Sequence, residues 1–304
     1  MKKINTIVVG LGNIGMMYDF YKNNKYFLTH VKSISANKNY NLLGAIDSDI
    51  AKISLFKKKY DLPAYKNIDD IKILNKIDLV VVASPTETHF NIIKQVLLIL
   101  KPKIILCEKP FTDDFFKASV LIRLCKKNKT KLFINYIRNS LPVFDKIKKF
   151  IEIRKQTFFT AKVYFSGDIL NNGSHYFIFF YKLFKDYISY KLMNYKKQTK
   201  RLDLIINYKN CKLLLNNINN SYKEDKIILK NSNSSIAWNN SARYLIFNKN
   251  KKIVKIVSNI NKYQQYVYKE ISKVFLYKKK SLRLVDASSA IKFLIFYKKV
   301  KYKL

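Results

Sequence analysis

Short apolar runs alternate with amphipathic stretches through the N-terminal part of the chain. Ile4–Val9 is rich in β-branched residues and predicts a buried strand. Asn41–Ile46, Lys76–Ala83 with its run Ile77-Asp78-Leu79-Val80-Val81-Val82, Lys103–Cys107 and Lys131–Tyr136 predict further buried strands. A helical stretch is expected from near Asn13, and Ile50–Tyr60, His89–Leu100 and Asp113–Asn128 carry helical periodicity. Strands and helices that alternate at this spacing predict a doubly wound parallel sheet with right-handed crossovers.

The pattern changes after about residue 137. Phe158–Phe165, Leu202–Tyr208, Lys212–Leu215, Lys226–Leu229, Tyr244–Phe247 and Ile253–Val257 predict strands joined by short Asn, Lys and Ser turns. Only Ser174–Lys185, Tyr263–Tyr277 and Asp286–Lys298 predict helices. Asn216–Ser221 and Asn231–Ser241 read as polar loops, the second containing Trp238 with no assigned role. The expected architecture is α/β. A Rossmann domain over residues 1–136 precedes an α+β domain over residues 137–304, built on a largely antiparallel open sheet.

Composition narrows the class. Of 304 residues, 48% are apolar and 14% aromatic, enough for a sizeable core and too much for a disordered chain. No apolar run is long enough to predict a transmembrane helix. Met1-Lys2-Lys3 before apolar residues imitates a signal peptide but lacks a small-residue cleavage site. Cys107, Cys125 and Cys211 are too few and too far apart for a disulfide framework or a zinc cluster. A reduced, cytoplasmic protein without a bound metal is expected.

The net charge of +39 suggests a polyanion partner when taken alone. Only six basic residues are arginine, the residue that forks onto phosphates and base edges, and the lysines are spread through both halves. A solvated lysine-rich surface is the reading preferred over specific nucleic-acid binding, and it would still attract anionic substrates.

The chain has six glycines where average usage would give roughly 20. Three of them form Gly10-Leu11-Gly12-Asn13-Ile14-Gly15 directly after the first predicted strand. In that context the first glycine permits a tight turn, the second admits a pyrophosphate, and the third lets helix and strand pack closely. Asp47 ends the next strand, where its carboxylate can accept from adenosine ribose hydroxyls and would repel a 2′-phosphate. NAD is therefore expected in preference to NADP. The interval from Gly15 to Asp47 exceeds the usual ~20 residues, and the excess is assigned to the first crossover around Tyr18–His30.

Three further motifs follow in order: Ser84-Pro85-Thr86-Glu87-Thr88-His89, Glu108-Lys109-Pro110, and Gly167-Asp168-Ile169-Leu170-Asn171-Asn172-Gly173-Ser174-His175. With the glycine motif and with Asn135-Tyr136-Ile137-Arg138, they resemble the glucose–fructose oxidoreductase / inositol 2-dehydrogenase family, the Gfo/Idh/MocA oxidoreductases. The wording around Asn172–His175 is similar to members of bacterial surface-polysaccharide pathways. The resemblance implies that Gly10, Gly12, Asn13, Ile14 and Gly15 cradle the pyrophosphate, and that Ser84, Pro85, Thr86 and His89 line the nicotinamide side. It places Glu108 and Lys109 where cofactor and substrate meet, with His175 facing them from the second domain. It makes Tyr136, Arg138, Asn171 and Asn172 candidate substrate contacts. It also implies a homo-oligomer, a dimer or tetramer, assembled through the second-domain sheet.

Hydride transfer to or from a carbinol carbon needs a proton partner at the substrate oxygen, and Lys109 and His175 are suitable residue types. The expected activity is NAD-dependent oxidation or reduction at a ring carbon of a sugar or sugar nucleotide. His30 has a weaker claim, through the long first crossover. Two positions depart from the family pattern: Asn171 and Ile178 stand where members commonly carry acids. They motivate a rival reading, a catalytically impaired dinucleotide-binding or regulatory protein of the same fold. The charge motivates another, a basic polyanion-binding protein.

Overall fold

The computed structural model describes residues 2–71, 76–154, 157–196, 201–218, 225–239, 241–249 and 252–303. Two units form: Met1–Ser140 with Asn261–Leu294, and Leu141–Ile260 with Ile295–Leu304.

In the first unit, β1 (Ile4–Val9) takes a parallel partner on each side, β2 (Tyr40–Ile46) and β4 (Leu79–Val82). β3 (Ala64–Tyr65), β5 (Ile104–Cys107) and β6 (Lys131–Ile134) extend the parallel sheet, and a short antiparallel strand, β15 (Val285–Asp286), ends it. The order is β15-β6-β5-β4-β1-β2-β3. Every residue of β4 and β5 is buried, as strands covered on both faces require. The strand order reverses between β1 and β4, and in such sheets the ligand crevice lies outside the carboxyl ends at that point.

Local signals account for most of the crossovers. α2 (Ile50–Tyr60) has the predicted bounds. Asp49 caps it by accepting from the Ala51 and Lys52 amides, and Asp61 ends it in the left-handed conformation. α3 (His89–Ile99) follows Thr88, and Asp114 caps α4 (Phe115–Lys127).

The first crossover is helical from near Asn13, as expected, but not as one continuous helix. After Gly12 the chain makes one helical turn, closed by Met16 N to Gly12 O at 2.9 Å, and then leaves it. It returns as α1 (His30–Ser35), whose first amides donate to that turn, His30 N to Ile14 O and Val31 N to Gly15 O. The buried carboxylate of Asp19 explains the detour. It accepts from the Leu28 and Thr29 amides and the Thr29 hydroxyl, while Lys32 Nζ caps carbonyls of Asp19, Lys22 and Asn23. The extra length lies in Tyr18–His30, as the spacing predicted.

The first unit also takes back a late segment, where the expected boundary assigned everything after residue 136 to the second domain. α8 (Tyr263–Leu276) places Val267, Tyr268, Ile271, Val274 and Phe275 in one core cluster with Val8, Leu11, Val31 and Phe56. Each such side chain contributes about 1.5–3 kcal/mol by burial, which fixes α8 to this sheet.

The second unit has an eight-stranded sheet. Its strands are β7 (Phe159–Phe165), β8 (Ser189–Lys196), β9 (Arg201–Tyr208), β10 (Cys211–Asn217), β11 (Lys226–Lys230), β12 (Ser234–Asn239), β13 (Tyr244–Lys249) and β14 (Lys252–Val257). The order is β14-β13-β12-β11-β7-β10-β9-β8, antiparallel except for β7 beside β10. Alternating burial along β9, β10 and β11 gives the sheet one packed face. α6 (Val143–Glu152), α7 (Ser174–Phe184) and the end of α9 (Ala287–Lys301) supply aromatic packing. Phe179 meets Phe144 and Trp238 edge-on at 5.2 and 5.4 Å, and Phe177 stacks on Phe296 at 4.6 Å.

Two sequence expectations need correction here. Ser234–Asn239, read as part of a polar loop, is strand β12 with Ile236 and Trp238 buried. Asn216 and Asn217 end a strand, while residues 219–221 and 240 lie outside the described residues. The elements predicted from the sequence do not include α6, β8, the short α5 (Ile137–Ser140) or the two-residue strands β3 and β15. No described helix is long and apolar enough to cross a membrane.

Candidate active site

The glycine turn occupies the carboxyl end of β1, and its three glycines have separate physical reasons. Gly10 has φ +98°, and a Cβ there would sit 2.6 Å from the Ala83 carbonyl carbon and the Ser84 nitrogen. A Cβ on Gly15 would lie 2.0 Å from the Gly10 carbonyl oxygen. A Cβ on Gly12 would meet nothing within 4 Å. Gly12 therefore borders open space, the cradle a pyrophosphate needs, and the amides of Gly12, Asn13 and Ile14 precede the turn's first internal hydrogen bond.

That space is a cavity of about 790 Å³ lined by Gly10, Gly12, Asp47, Ser84, Pro85 and Thr88 among others, a volume suited to a cofactor. Asp47 does more than sequence reasoning assigned to it. Its Oδ2 accepts from the Leu11 amide at 2.5 Å and its Oδ1 from the Asp49 amide at 2.9 Å, tying the glycine turn to the end of β2. A carboxylate has further lone pairs for ribose hydroxyls. Lys52 and Lys66 also line the cavity, and Lys52 pairs with Asp49 at 3.0 Å.

Beyond β4, Ser84 Oγ accepts from the Thr88 hydroxyl at 2.8 Å. Thr86 opens the single turn that leads into α3. His89 is fully buried, its Nε2 2.9 Å from Ser84 O and its Nδ1 3.1 Å from Phe111 O. The ring braces the loop after β4 against the segment after Pro110.

Glu108 and Lys109 follow β5, and Lys109 is half-buried before a cis Lys109–Pro110 peptide. Glu108 Oε1 lies 2.9 Å from His30 Nε2 and accepts from Asn135 Nδ2 at 2.5 Å, and Oε2 accepts from the Lys109 amide at 3.3 Å. Burial raises the Glu108 pKa, but the hydrogen bond and charge of His30, the Asn135 amide and the Lys109 charge outweigh it. The carboxyl is held below its ordinary value. Tyr136 is buried and Arg138 half-buried just past β6. The carboxyl edge of one sheet thus gathers Gly10–Gly15, Asp47, Ser84–Thr88, Glu108–Lys109 and Asn135–Arg138. Tyr268 and Gln264 of α8 join this cluster too. No local sequence signal could have placed them there, because Tyr268 lies 238 positions from its partner His30 and Gln264 lies 129 positions from its partner Asn135.

In the second unit, Asp168 caps a π-helical turn, Ile169–Gly173, that opens α7. Such turns concentrate at functional sites. Asp168 Oδ1 accepts from the Asn171 amide at 2.7 Å and Oδ2 from Asn171 Nδ2 at 2.8 Å, while Asn172 Nδ2 donates to Ser166 O at 2.8 Å. Each Asn therefore commits one side-chain N–H within the loop. His175, in the first turn of α7, is 3% exposed, and Ile178 is fully buried.

Comparison with known proteins agrees with this geometry. The oxidoreductase family with an NAD-binding Rossmann fold, Gfo/Idh/MocA, matches residues 4–136. Inositol 2-dehydrogenase from Rhizobium meliloti is 28% identical over 123 residues, which cover 40% of this chain and only 36% of that relative's length. Among solved structures, the dehydrogenase MviM from Clostridium difficile superposes with a TM-score of 0.79 at 16% identity, covering 100% of both chains. The WlbA dehydrogenase from Bordetella pertussis, in complex with NADH and UDP-GlcNAcA, superposes with a TM-score of 0.80 at 13% identity, covering 100% of this chain and 97% of that one. At such identities the structural likeness establishes the fold alone. Residues 4–136 thus match the Gfo/Idh/MocA oxidoreductase family, with its NAD-binding Rossmann fold.

Proposed function

We propose that the protein is an NAD-dependent oxidoreductase acting at a ring carbon of a sugar or sugar nucleotide. The observation that carries this reading is the carboxyl edge of the parallel sheet, where the open face of Gly12, the Asp47 carboxylate and the Glu108–Lys109 pair share one end. The bound nicotinamide supplies or accepts the hydride. Gly10–Gly15 holds the pyrophosphate, and Asp47 both braces the turn and accepts from ribose hydroxyls. Ser84, Pro85 and Thr86 line the nicotinamide side, with His89 supporting the loop. Lys109 polarises the substrate oxygen. His175 takes or returns its proton, a task for which histidine suits neutral pH. Tyr136, Arg138, Asn171 and Asn172 contact the sugar. A lysine-rich surface favours anionic substrates such as nucleotide sugars, and the WlbA structure, with its sugar nucleotide, supports that class.

The same proposal covers a homo-oligomer through the second unit's sheet, a cytoplasmic location and a role in surface-polysaccharide synthesis. The test is a fluorescence titration with NADH and NADPH at physiological salt, then a screen of sugars and sugar nucleotides. Tight NADH binding, weaker NADPH binding and turnover abolished by Lys109→Ala or His175→Ala are expected.

One observation favours a second reading, a catalytically impaired nucleotide-binding protein. Ile178 is buried in the core and the Asn171 amide is bound to Asp168, so neither position offers the acid that family members commonly carry. NADH binding without turnover across the panel would select this reading.

A further inference from the structure

His30 is 0% exposed, yet every polar atom of its backbone amide and ring has a partner in the first unit. Its amide donates to Ile14 O, within the glycine turn, at 3.1 Å. Its Nε2 faces Glu108 Oε1 at 2.9 Å and its Nδ1 faces the Tyr268 hydroxyl at 2.6 Å. One residue therefore joins the turn that cradles the pyrophosphate to the Glu108–Lys109 pair. Nothing in the motifs assigned it that task.

The hydrogen-bond logic is tight. A carboxylate only accepts, so Nε2 carries the proton that points at Glu108. Nδ1 can be either donor or acceptor because a tyrosine hydroxyl is both. The ring stays fully satisfied whether it is neutral or charged, and Tyr268 packs edge-on against it at 5.9 Å between centroids. Tyr268 is itself held: Tyr40 donates to its carbonyl at 2.6 Å, and Ser272 donates to the Tyr40 hydroxyl at 3.1 Å. Asn135 supplies the second donor to Oε1 and also reaches Gln264 Oε1 at 3.3 Å.

We propose that His30 is a positioning residue of the cofactor site: with Asn135 it clamps Oε1 of Glu108, leaving Oε2 to hold the Lys109 amide, and it couples that pair to the glycine turn. The inference rests on the nucleotide-binding reading above. The long first crossover has this consequence, because the Asp19-anchored detour is what brings a histidine, rather than the body of a continuous helix, against Glu108.

The experiment compares His30→Gln with His30→Asn. A glutamine amide nitrogen falls near the Nε2 position and can donate to Glu108, whereas an asparagine amide falls near Nδ1 and cannot reach it. Both remove the ring and both leave a polar group in the same pocket. NADH affinity is read by fluorescence titration and fold integrity by the unfolding midpoint of the ligand-free chain. His30→Gln is expected to stay close to wild type in affinity and His30→Asn to bind at least ~10-fold more weakly, at matching unfolding midpoints. Equal affinities for the two variants, or affinity that falls only in step with the midpoint, overturn the proposal. If His30→Asn does not fold, Asn135→Ala removes the other donor to Oε1 and is expected to weaken NADH in the same direction, with unchanged affinity as the overturning result. A wild-type protein that fails to bind NADH removes the nucleotide reading itself, an outcome distinct from variants that bind alike.

Discussion

The amide of Leu11 donates to Asp47 Oδ2 at 2.5 Å, across 36 positions of sequence. Leu11 sits between the two glycines whose backbone shapes the cradle, so the carboxylate expected to read the ribose also sets the shape of the pyrophosphate turn. In the proposed site, binding and preorganisation run through one side chain.

Replacing that side chain should therefore show two effects. Asp47→Ala is expected to lower the ligand-free stability by about 1–3 kcal/mol, because the Leu11 amide loses its charged acceptor. It should also weaken NADH at least ~10-fold and narrow the preference over NADPH. Urea unfolding and paired fluorescence titrations measure the two. Unchanged stability would show that the Leu11 contact contributes nothing in solution.

The glycines should separate into fold and ligand classes. Gly15→Ala drives a methyl to 2.0 Å from the Gly10 carbonyl and is expected to cost several kcal/mol, on the order of the largest point-mutant effects. Gly12→Ala has open space around it, so its stability should match wild type or rise by about 0.4–1 kcal/mol. Its NADH binding should nonetheless be lost, since the methyl occupies the cradle. Denaturation curves and titrations on the two variants decide the matter, and a Gly12→Ala protein that binds normally would contradict the assignment.

Acid sensitivity should trace to Glu108. Its folded carboxyl lies below the ordinary 4.5, so the stabilising contribution is present above 4.5 and is lost as pH falls through the folded value. The groups facing it are His30 from α1, Asn135 just past β6, Lys109 beside it, and Tyr263 and Tyr268 from α8. Burial raises both tyrosines, and both stay neutral across this range. Unfolding midpoints from pH 7 down to 3 should fall more steeply for wild type than for Glu108→Gln. Parallel curves would mean that the carboxylate is not held as described.

The cysteines should be silent. Burial raises Cys107 well above its ordinary value and pushes Cys125 and Cys211 up to about 12, and all three are buried. A thiol-reactive chromogen at pH 7.5 is expected to label almost none of them in the native protein and all three in denaturant. Rapid native labelling would place at least one of them outside the core.

Much of this was legible because it depends on neighbours in sequence. α2 has its predicted bounds because an Asp49 cap and helical periodicity coincide, and the spacing of Gly10, Gly12 and Gly15 follows from local backbone demands. Ser234–Asn239 reads as a loop because the residues beside its two inward positions, Ile236 and Trp238, are Ser235, Ala237 and Asn239, a weak outward face for a strand. α6 carries a readable signal, with Val143, Phe144, Ile147 and Phe150 on one buried face. The support of Glu108 was not legible at all. Tyr268 meets His30 only after the chain has built the second unit and come back, and no spacing rule reaches across that distance.

That return of α8 matters during synthesis. The nucleotide-binding sheet is nearly all translated by residue 140, but the helix that seals one of its apolar faces is made only after residue 261. Until then Val8, Val31 and Phe56 lack their partners Val267, Ile271 and Phe275. The nascent chain must hold an unsealed sheet through the making of more than a hundred further residues, a window in which chaperone capture or aggregation competes with folding. A fragment ending near residue 140 would carry the whole glycine motif and still lack the lid of its own core.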